Sequence, residues 1–251
     1  MIDLEYTDGI AIVTLAHGKA NAMDLEFCTG LADLFTRLAT GDARAAVITG
    51  RGAIFSAGVD LLRLLAEGPE YARRFVPALS SMCDALLRFP KPLVAAVNGH
   101  AIAGGCIVAC AADRRLMVNG KGRIGVPELR VGVPFPDVAL EVIRSALATD
   151  VFHDLVWTGA TLDVSSARER GLIHEIVEPD DLLSRAIALA REIAEPGPDV
   201  VRITKRQLRA PSIERLNALG GVGNETSELW SDPATMDAIR GYVERTFRRP
   251  A

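Results

Sequence analysis

Between Lys91 and Asp113 the chain runs for 21 residues without a formal charge. A stretch of that length and character either crosses a bilayer or fills a core. Asn98, Gly99, His100, Gly104 and Gly105 interrupt it, and breaks at those places fit a buried strand, a turn and a buried helix better than one continuous span. The expected arrangement is a strand over Leu93 to Val97, a stop at Gly99 and a helix opening near Gly104. A strand that is apolar at every position is covered on both faces, so this segment is read as the centre of a layered fold.

The flanking segments supply the layers. Ile10 to Leu15, Ala45 to Thr49 and Arg115 to Val118 read as strands, the second closed by Gly50. Leu31, Leu34, Phe35 and Leu38 mark the apolar stripe of a helix from Leu25 to Leu38. Phe75, Leu79, Met82, Leu86 and Leu87 do the same for a helix from Pro69 to Leu87. Strands alternating with helices imply an α/β fold. After Pro136 helices dominate, at Asp137 to Leu147, Asp150 to Trp157 and Asp181 to Ala194, with Leu172 to Val177 a late strand. Pro196-Gly197-Pro198 is the clearest break, and Asp199 to Arg209 and Ser212 to Phe247 read as helices beyond it. The expected organisation is an α/β core over residues 1–195 and a helical C-terminal region over 196–251.

Composition narrows the partners. With 49% hydrophobic and 24% charged residues, the chain is neither disordered nor collagen-like. Its 251 residues bury enough apolar surface to need no disulfide or metal staple. Basic residues number 28 against 32 acidic ones, so there is no positive excess for nucleic acid, and an anionic ligand must be held by local groups. Cys28, Cys83, Cys106 and Cys110 lack the companion ligands of a zinc site. They read as reduced, buried thiols of a cytoplasmic protein. Met1-Ile2-Asp3-Leu4-Glu5 has no basic stretch ahead of an apolar one, so no signal peptide is read.

Three glycine-bearing turns carry the chemistry: Phe55-Ser56-Ala57-Gly58-Val59-Asp60, Asn98-Gly99 through Gly104-Gly105-Cys106, and Ile124-Gly125-Val126-Pro127-Glu128-Leu129. Turns entering helices present free backbone N–H groups suited to an anionic oxygen. In this order, with Lys19-Ala20-Asn21-Ala22-Met23 ahead of them and Thr158-Gly159 and Ala167 to Ile173 behind, the sequence resembles the crotonase superfamily, the enoyl-CoA hydratases and isomerases. The resemblance covers nearly the whole chain. It implies a spiral of repeated ββα units with C-terminal helices that drive formation of a trimer, or of a hexamer as a pair of trimers. It also implies an acyl-CoA thioester substrate that passes through an enolate. By position, the two oxyanion-hole donors would be the N–H groups of Val59 and Gly104. Donors already aimed at a developing negative charge need no reorganisation in the transition state.

The acid–base positions separate the reactions. Hydratases of the family use two glutamates, one two residues after the Gly-Gly pair and one in the later Pro-Glu motif. Here the first position is Ile107 and the second is Glu128. A glycine-rich stretch after Pro-Glu, common in hydratases, is replaced by Gly132-Val133-Pro134-Phe135-Pro136-Asp137. One carboxylate suits a double-bond shift from 3-enoyl-CoA to 2-enoyl-CoA, since the same base can take a proton from C2 and return it at C4. The expected activity is therefore that of an enoyl-CoA isomerase, with Glu128 desolvated between Val126, Pro127 and Leu129. Hydration or another enolate reaction, decarboxylation included, is the alternative. From a different class comes a non-catalytic acyl-CoA-binding or assembly subunit. A serine peptidase would need an elbow around Ser56 that the sequence lacks.

The resemblance further assigns Lys19, Ala20, Ala57, Asp60, Leu61, Ile107 and Phe135 to substrate binding, with coenzyme A entering only as part of the substrate. No metal, nicotinamide or flavin is implied, and neither nucleic acid nor a membrane is an expected partner. Asp60 is equally suited to capping the helix that follows. His100, beside the oxyanion turn, is read as a packed or hydrogen-bonded histidine. Asp137 and Glu141 are read as a helix cap and a solvated face, and become a second acid only if one points inward. Lys19 and Lys205-Arg206 are the candidates for the CoA phosphates.

Overall fold

The uncharged run folds as a strand whose five residues are all buried and a helix whose eight residues are all buried. The structure is a computed structural model and describes residues 1–219 and 222–247. In chain order its strands are β1 (Ile2–Thr7), β2 (Ile10–Leu15), β3 (Ala45–Gly50), β4 (Ile54–Ser56), β5 (Leu93–Val97), β6 (His100–Ile102), β7 (Arg114–Val118), β8 (Arg123–Gly125), β9 (Thr161–Asp163) and β10 (Glu175–Val177). The helices are α1 (Leu25–Thr40), α2 (Leu61–Leu87), α3 (Gly104–Ala111), α4 (Glu128–Val131), α5 (Asp137–Ala146), α6 (Thr149–Thr158), α7 (Val164–Glu169), α8 (Leu182–Ala194), α9 (Pro198–Ala218), α10 (Val222–Trp230) and α11 (Pro233–Phe247).

Two sheets lie side by side in the topology. The larger has the order β1-β2-β3-β5-β7-β10 and the smaller β4-β6-β8-β9. Every pair from β2 to β10 in the large sheet is parallel, and only the β1–β2 edge is antiparallel. The chain visits the large sheet, then the small sheet, then a helix, three times over: β3-β4-α2, β5-β6-α3 and β7-β8-α4. This is the expected α/β spiral of ββα units. Gly99 stands at one crossing between the sheets, where a Cβ would come within 2.0 Å of the Ala53 carbonyl oxygen. Only glycine lets those two turns approach so closely.

Both faces of the large sheet are covered, as the continuous apolar runs require. One face presents Val47, Val94, Ala96 and Leu116 to Leu182, Ala186 and Leu189 of α8. The other presents Val13, Ile48, Ala95 and Val97 to the main core, which includes Phe27, Phe35, Phe75 and Val108. All four cysteines are buried free thiols. Among the described residues no helix is long and apolar enough to cross a membrane.

The structure corrects several boundaries. β1 has no counterpart among the expected strands, because its residues are exposed or only half-buried along the sheet edge. α2 begins at Leu61, not Pro69; Gly68 at φ 75° breaks its geometry and Pro69 restarts it. The late strand shortens to Glu175–Val177 because the Leu172 and Ile173 N–H groups turn back onto the Ala167 carbonyl. α9 continues through Pro211, where a break was expected. The stretch from Ser212 to Phe247 divides into the end of α9, α10 and α11, and the part of that reading falling on 220 and 221 lies outside the described residues. α10 and α11 pack on α2, next to the cavity described below.

Candidate active site

Parallel pairing brings the three glycine-bearing turns together. β4 pairs with β6, and β6 with β8, all in the same direction. The chain therefore leaves three adjacent strands at one end, after Ser56, Ile102 and Gly125. The carboxyl ends of adjacent parallel strands are where α/β folds place ligands. A cavity of about 670 Å³ opens there, with Val59, Gly104, Ile107 and Glu128 in its walls.

Two residues that border this space, Val59 and Gly104, carry backbone donors. Met23 donates to the Gly58 carbonyl across 2.8 Å and accepts from the Asp60 N–H across 2.9 Å. In that parallel bridge the N–H of Val59, the residue between them, points away from Met23. Gly104 is the first residue of α3, so its N–H has no place in the helical ladder. Neither N–H has a hydrogen-bond acceptor among the described residues. The turns that carry them are pressed together: Gly58 sits at φ +81°, and a Cβ there would lie 2.7 Å from the Ile102 carbonyl oxygen. Ala103 holds φ 53° and ψ −123°, a conformation that costs an alanine energy and is retained where surrounding structure enforces it. Its N–H donates to the Gly125 carbonyl across 2.9 Å, which ties this turn to the strand leading to Glu128.

Glu128 opens α4 and is 6% exposed. Among the described residues its Oε2 is the one buried side-chain oxygen or nitrogen without a hydrogen-bond partner. Burial pushes its pKa up to about 8, because the charged carboxylate loses hydration that its own backbone N–H only partly replaces. Its surroundings include thiols. Burial first, and then the charges of Asp84 and Glu128, push the Cys83 thiol up to about 12.

Of the residues expected at the site, Ala20, Ala57, Val59, Asp60, Leu61, Gly104, Ile107 and Glu128 all line the cavity. Lys19 and Phe135 do not. Lys19 is exposed on the turn before Ala20. Phe135 points into the main core, and its neighbours Val133 and Pro136 face the cavity instead. Asp60 caps α2, its carboxylate accepting the Arg63 N–H across 2.9 Å. Asp137 is the first residue of α5, while Pro136 holds the cap position without a side-chain bond. Glu141 is not on a solvated face; it is 3% exposed and paired with Arg144 and Arg215 at 2.9 and 2.8 Å. Lys205 is likewise committed, with its Nζ 2.8 Å from both Asp113 and the Lys91 carbonyl. It is 6% exposed and closed to a phosphate.

Further contacts shape the site, and those made by the C-terminal helices escaped sequence reasoning. The Ser56 hydroxyl donates to the Asn21 carbonyl and accepts the Gly58 N–H, which fixes the first turn and leaves no nucleophile. Asn21 reaches the Ile54 and Phe55 carbonyls with its side-chain amide. Trp230, Tyr242 and Thr246 bring the C-terminal helices to the far wall. His100 is hydrogen-bonded, as expected: it lines the cavity and accepts the Arg123 N–H at Nδ1, 3.2 Å away. Together the elements supply two unpaired N–H groups for an oxygen, one desolvated carboxyl group, and walls that are mainly hydrocarbon.

A fold and site of this kind define an acyl-thioester enzyme class, and comparison with known proteins places the chain within it. The family model for enoyl-CoA hydratase/isomerase matches residues 5–245, and the chain belongs to that family. A putative enoyl-CoA hydratase of Thermus thermophilus is 37% identical over 185 residues, 72% of this chain and 69% of that protein. Carnitinyl-CoA dehydratase of Salmonella arizonae is 31% identical over 80% of this chain and 78% of its own. The crystal structure of human mitochondrial delta3-delta2-enoyl-CoA isomerase superposes with a TM-score of 0.91, covering 100% of this chain and 99% of that one. At 23% identity that likeness shows the fold alone.

Proposed function

We propose that the protein moves the double bond of 3-enoyl-CoA thioesters to give 2-enoyl-CoA. The supporting observation is the cavity's pairing of one desolvated carboxyl group, Glu128, whose Oε2 has no partner, with a hydrocarbon side chain, Ile107, where a second acid would stand. The ionised carboxylate of Glu128 takes a proton from C2. The electron pair of that C–H bond passes into the thioester carbonyl, whose oxygen becomes the enolate oxygen held by the Val59 and Gly104 N–H groups. The protonated Glu128 then delivers its proton to C4, the C3–C4 double bond moves to C2–C3, and the carbonyl is restored. A carboxyl group titrating near 8 is better matched to a weakly acidic C–H than an ordinary one. In this reading coenzyme A enters as part of the substrate and no further cofactor takes part. The protein works in the cytoplasm as a trimer or a pair of trimers, for which exposed Val200, Ile203 and Leu208 on α9 offer apolar surface.

The second reading is hydration of 2-enoyl-CoA, favoured by the name of the Thermus relative. Supplying the pure protein with 3-enoyl-CoA and 2-enoyl-CoA separately decides between them. Conversion of the first without rapid hydration of the second supports the isomerase. Rapid hydration of the second with no conversion of the first overturns it. Binding without turnover of either marks a non-catalytic acyl-CoA binder.

A further inference from the structure

We propose that His100 is a substrate-positioning residue, donating a hydrogen bond from Nε2 to an amide carbonyl of the pantetheine arm. This inference rests on the acyl-CoA reading above. Three observations carry it. His100 is half-buried and lines the cavity next to Ile54, its pairing partner across β4 and β6. Its Nδ1 accepts the backbone N–H of Arg123, so the neutral ring must carry its proton on Nε2. That Nε2–H has no acceptor among the described residues. A fixed donor in an otherwise apolar stretch of wall, formed by Ala20, Ala22, Ile54 and Ala57, is suited to an acceptor that arrives with the ligand.

The spacing selects the acceptor. β6 carries His100 three residues ahead of Ala103, about 10 Å along a strand that rises about 3.3 Å per residue. An extended arm gaining about 1.2 Å per bond covers that distance in eight or nine bonds. Counted from a thioester carbonyl, this falls on the amide-bearing part of pantetheine, short of the phosphates. Trp230 and Tyr242 line the cavity from the C-terminal helices, which gives the acyl chain its own wall.

The test uses butyryl-pantetheine and butyryl-CoA, saturated thioesters that bind without reacting, titrated calorimetrically into the full-length protein. His100→Phe keeps a ring and removes the donor. His100→Gln keeps an acceptor for the Arg123 N–H and a donor for the ligand. His100→Phe is expected to weaken both thioesters by roughly 3- to 10-fold, the effect of one lost hydrogen bond, and His100→Gln to recover most of it. In turnover the Phe variant raises KM by the same factor and leaves kcat near the wild-type value. Equal affinities in all three proteins overturn the proposal, as does a loss confined to butyryl-CoA, which would place the acceptor on a phosphate. A weakening in the Phe variant that the Gln variant does not recover also overturns it, as a packing effect. A wild-type protein that binds neither thioester removes the acyl-CoA reading and this inference with it.

Discussion

The indole N–H of Trp230 donates to the carbonyl of Pro134 across 2.9 Å, fastening α10 to the loop that follows Glu128. The ring is 2% exposed, tilts against Phe75 with 6.4 Å between centroids, and lines the cavity. One side chain thus closes part of the cavity wall and braces the segment that carries the carboxyl group. Trp230→Ala is expected to cost about 3–5 kcal/mol of stability, as truncation of a buried aromatic does. It should also shift preference toward longer acyl chains, by up to about fourfold in kcat/KM per added methylene that finds apolar wall. Trp230→Phe loses the hydrogen bond and only part of the ring, so it should shift the chain-length profile less than Trp230→Ala does. Kinetics with a series of acyl lengths and a denaturant titration check both.

Glu128 gives a pH dependence of defined sign. As a base it acts ionised, and its burial places that ionisation near 8. The kcat/KM for 3-enoyl-CoA is therefore expected to rise with pH and level off above an inflection near 8, since this parameter reports the free enzyme. An inflection near 4.5, the ordinary value for a glutamate, would mean that the carboxyl group is solvated in the working protein.

The same shift acts on stability. In the unfolded chain Glu128 titrates near 4.5, and in the folded protein near 8. Between those values the folded form holds a proton that the unfolded form has lost. The stabilising contribution is complete below 4.5 and is lost as pH rises through 8. Glu128→Gln removes that slope, so its stability relative to wild type should grow by roughly 1.4 kcal/mol per pH unit across the window. Urea denaturation of both proteins at pH 5 and pH 8 measures it. Activity of the same variant should fall by about 10²- to 10⁴-fold, with thioester binding preserved.

The residues that were readable in advance share a physical cause. β5 is an unbroken apolar run and β2 and β3 are broken only near their ends, at Thr14 and at Thr49 and Gly50, and burial on both faces dictates such runs directly. Glu128, Gly104 and Val59 sit in turns whose order along the chain carried the family resemblance. The three-residue strands Ile54–Ser56, His100–Ile102 and Arg123–Gly125 are too short to show any period, so the second sheet went unread. Trp230 and Tyr242 reach the cavity from more than 100 positions beyond Glu128, and no local pattern announces such a contact. Lys205 resembled a surface cation because its partner, Asp113, is 92 residues away. Phe135 differs from Val133 and Pro136 only in which way an irregular loop turns it.

The contact between the turns that carry the Val59 and Gly104 N–H groups makes a separate prediction. At Gly58 an alanine must adopt φ +81° and place its Cβ 2.7 Å from the Ile102 carbonyl oxygen and 2.8 Å from the Ala103 Cβ. The turns must part, and the Val59 N–H moves away from the Gly104 N–H. Gly58→Ala is expected to lower kcat by about 10²- to 10³-fold, the effect of losing one oxyanion donor. Gly52→Ala is the control. It imposes φ +78° on an alanine but meets nothing within 4 Å, so it strains the backbone without moving the site and should keep nearly full activity.

Ile107 stands one turn into α3 from Gly104, is 3% exposed, and lines the same cavity as Glu128. Ile107→Glu would introduce a second carboxyl group where the wild-type protein has hydrocarbon. Two carboxyl groups sharing a desolvated site cannot both ionise readily, so the inflection in the pH profile should move above 8. The pair could then hold and activate a water molecule, and hydration of 2-enoyl-CoA should become measurable while isomerisation declines. Ile107→Gln brings comparable polarity without an acid, and should show neither the added hydration nor the like-charge shift. If the two variants behave alike, the aliphatic side chain at this position does not decide between isomerisation and hydration, and the discrimination lies in how the cavity orients the thioester.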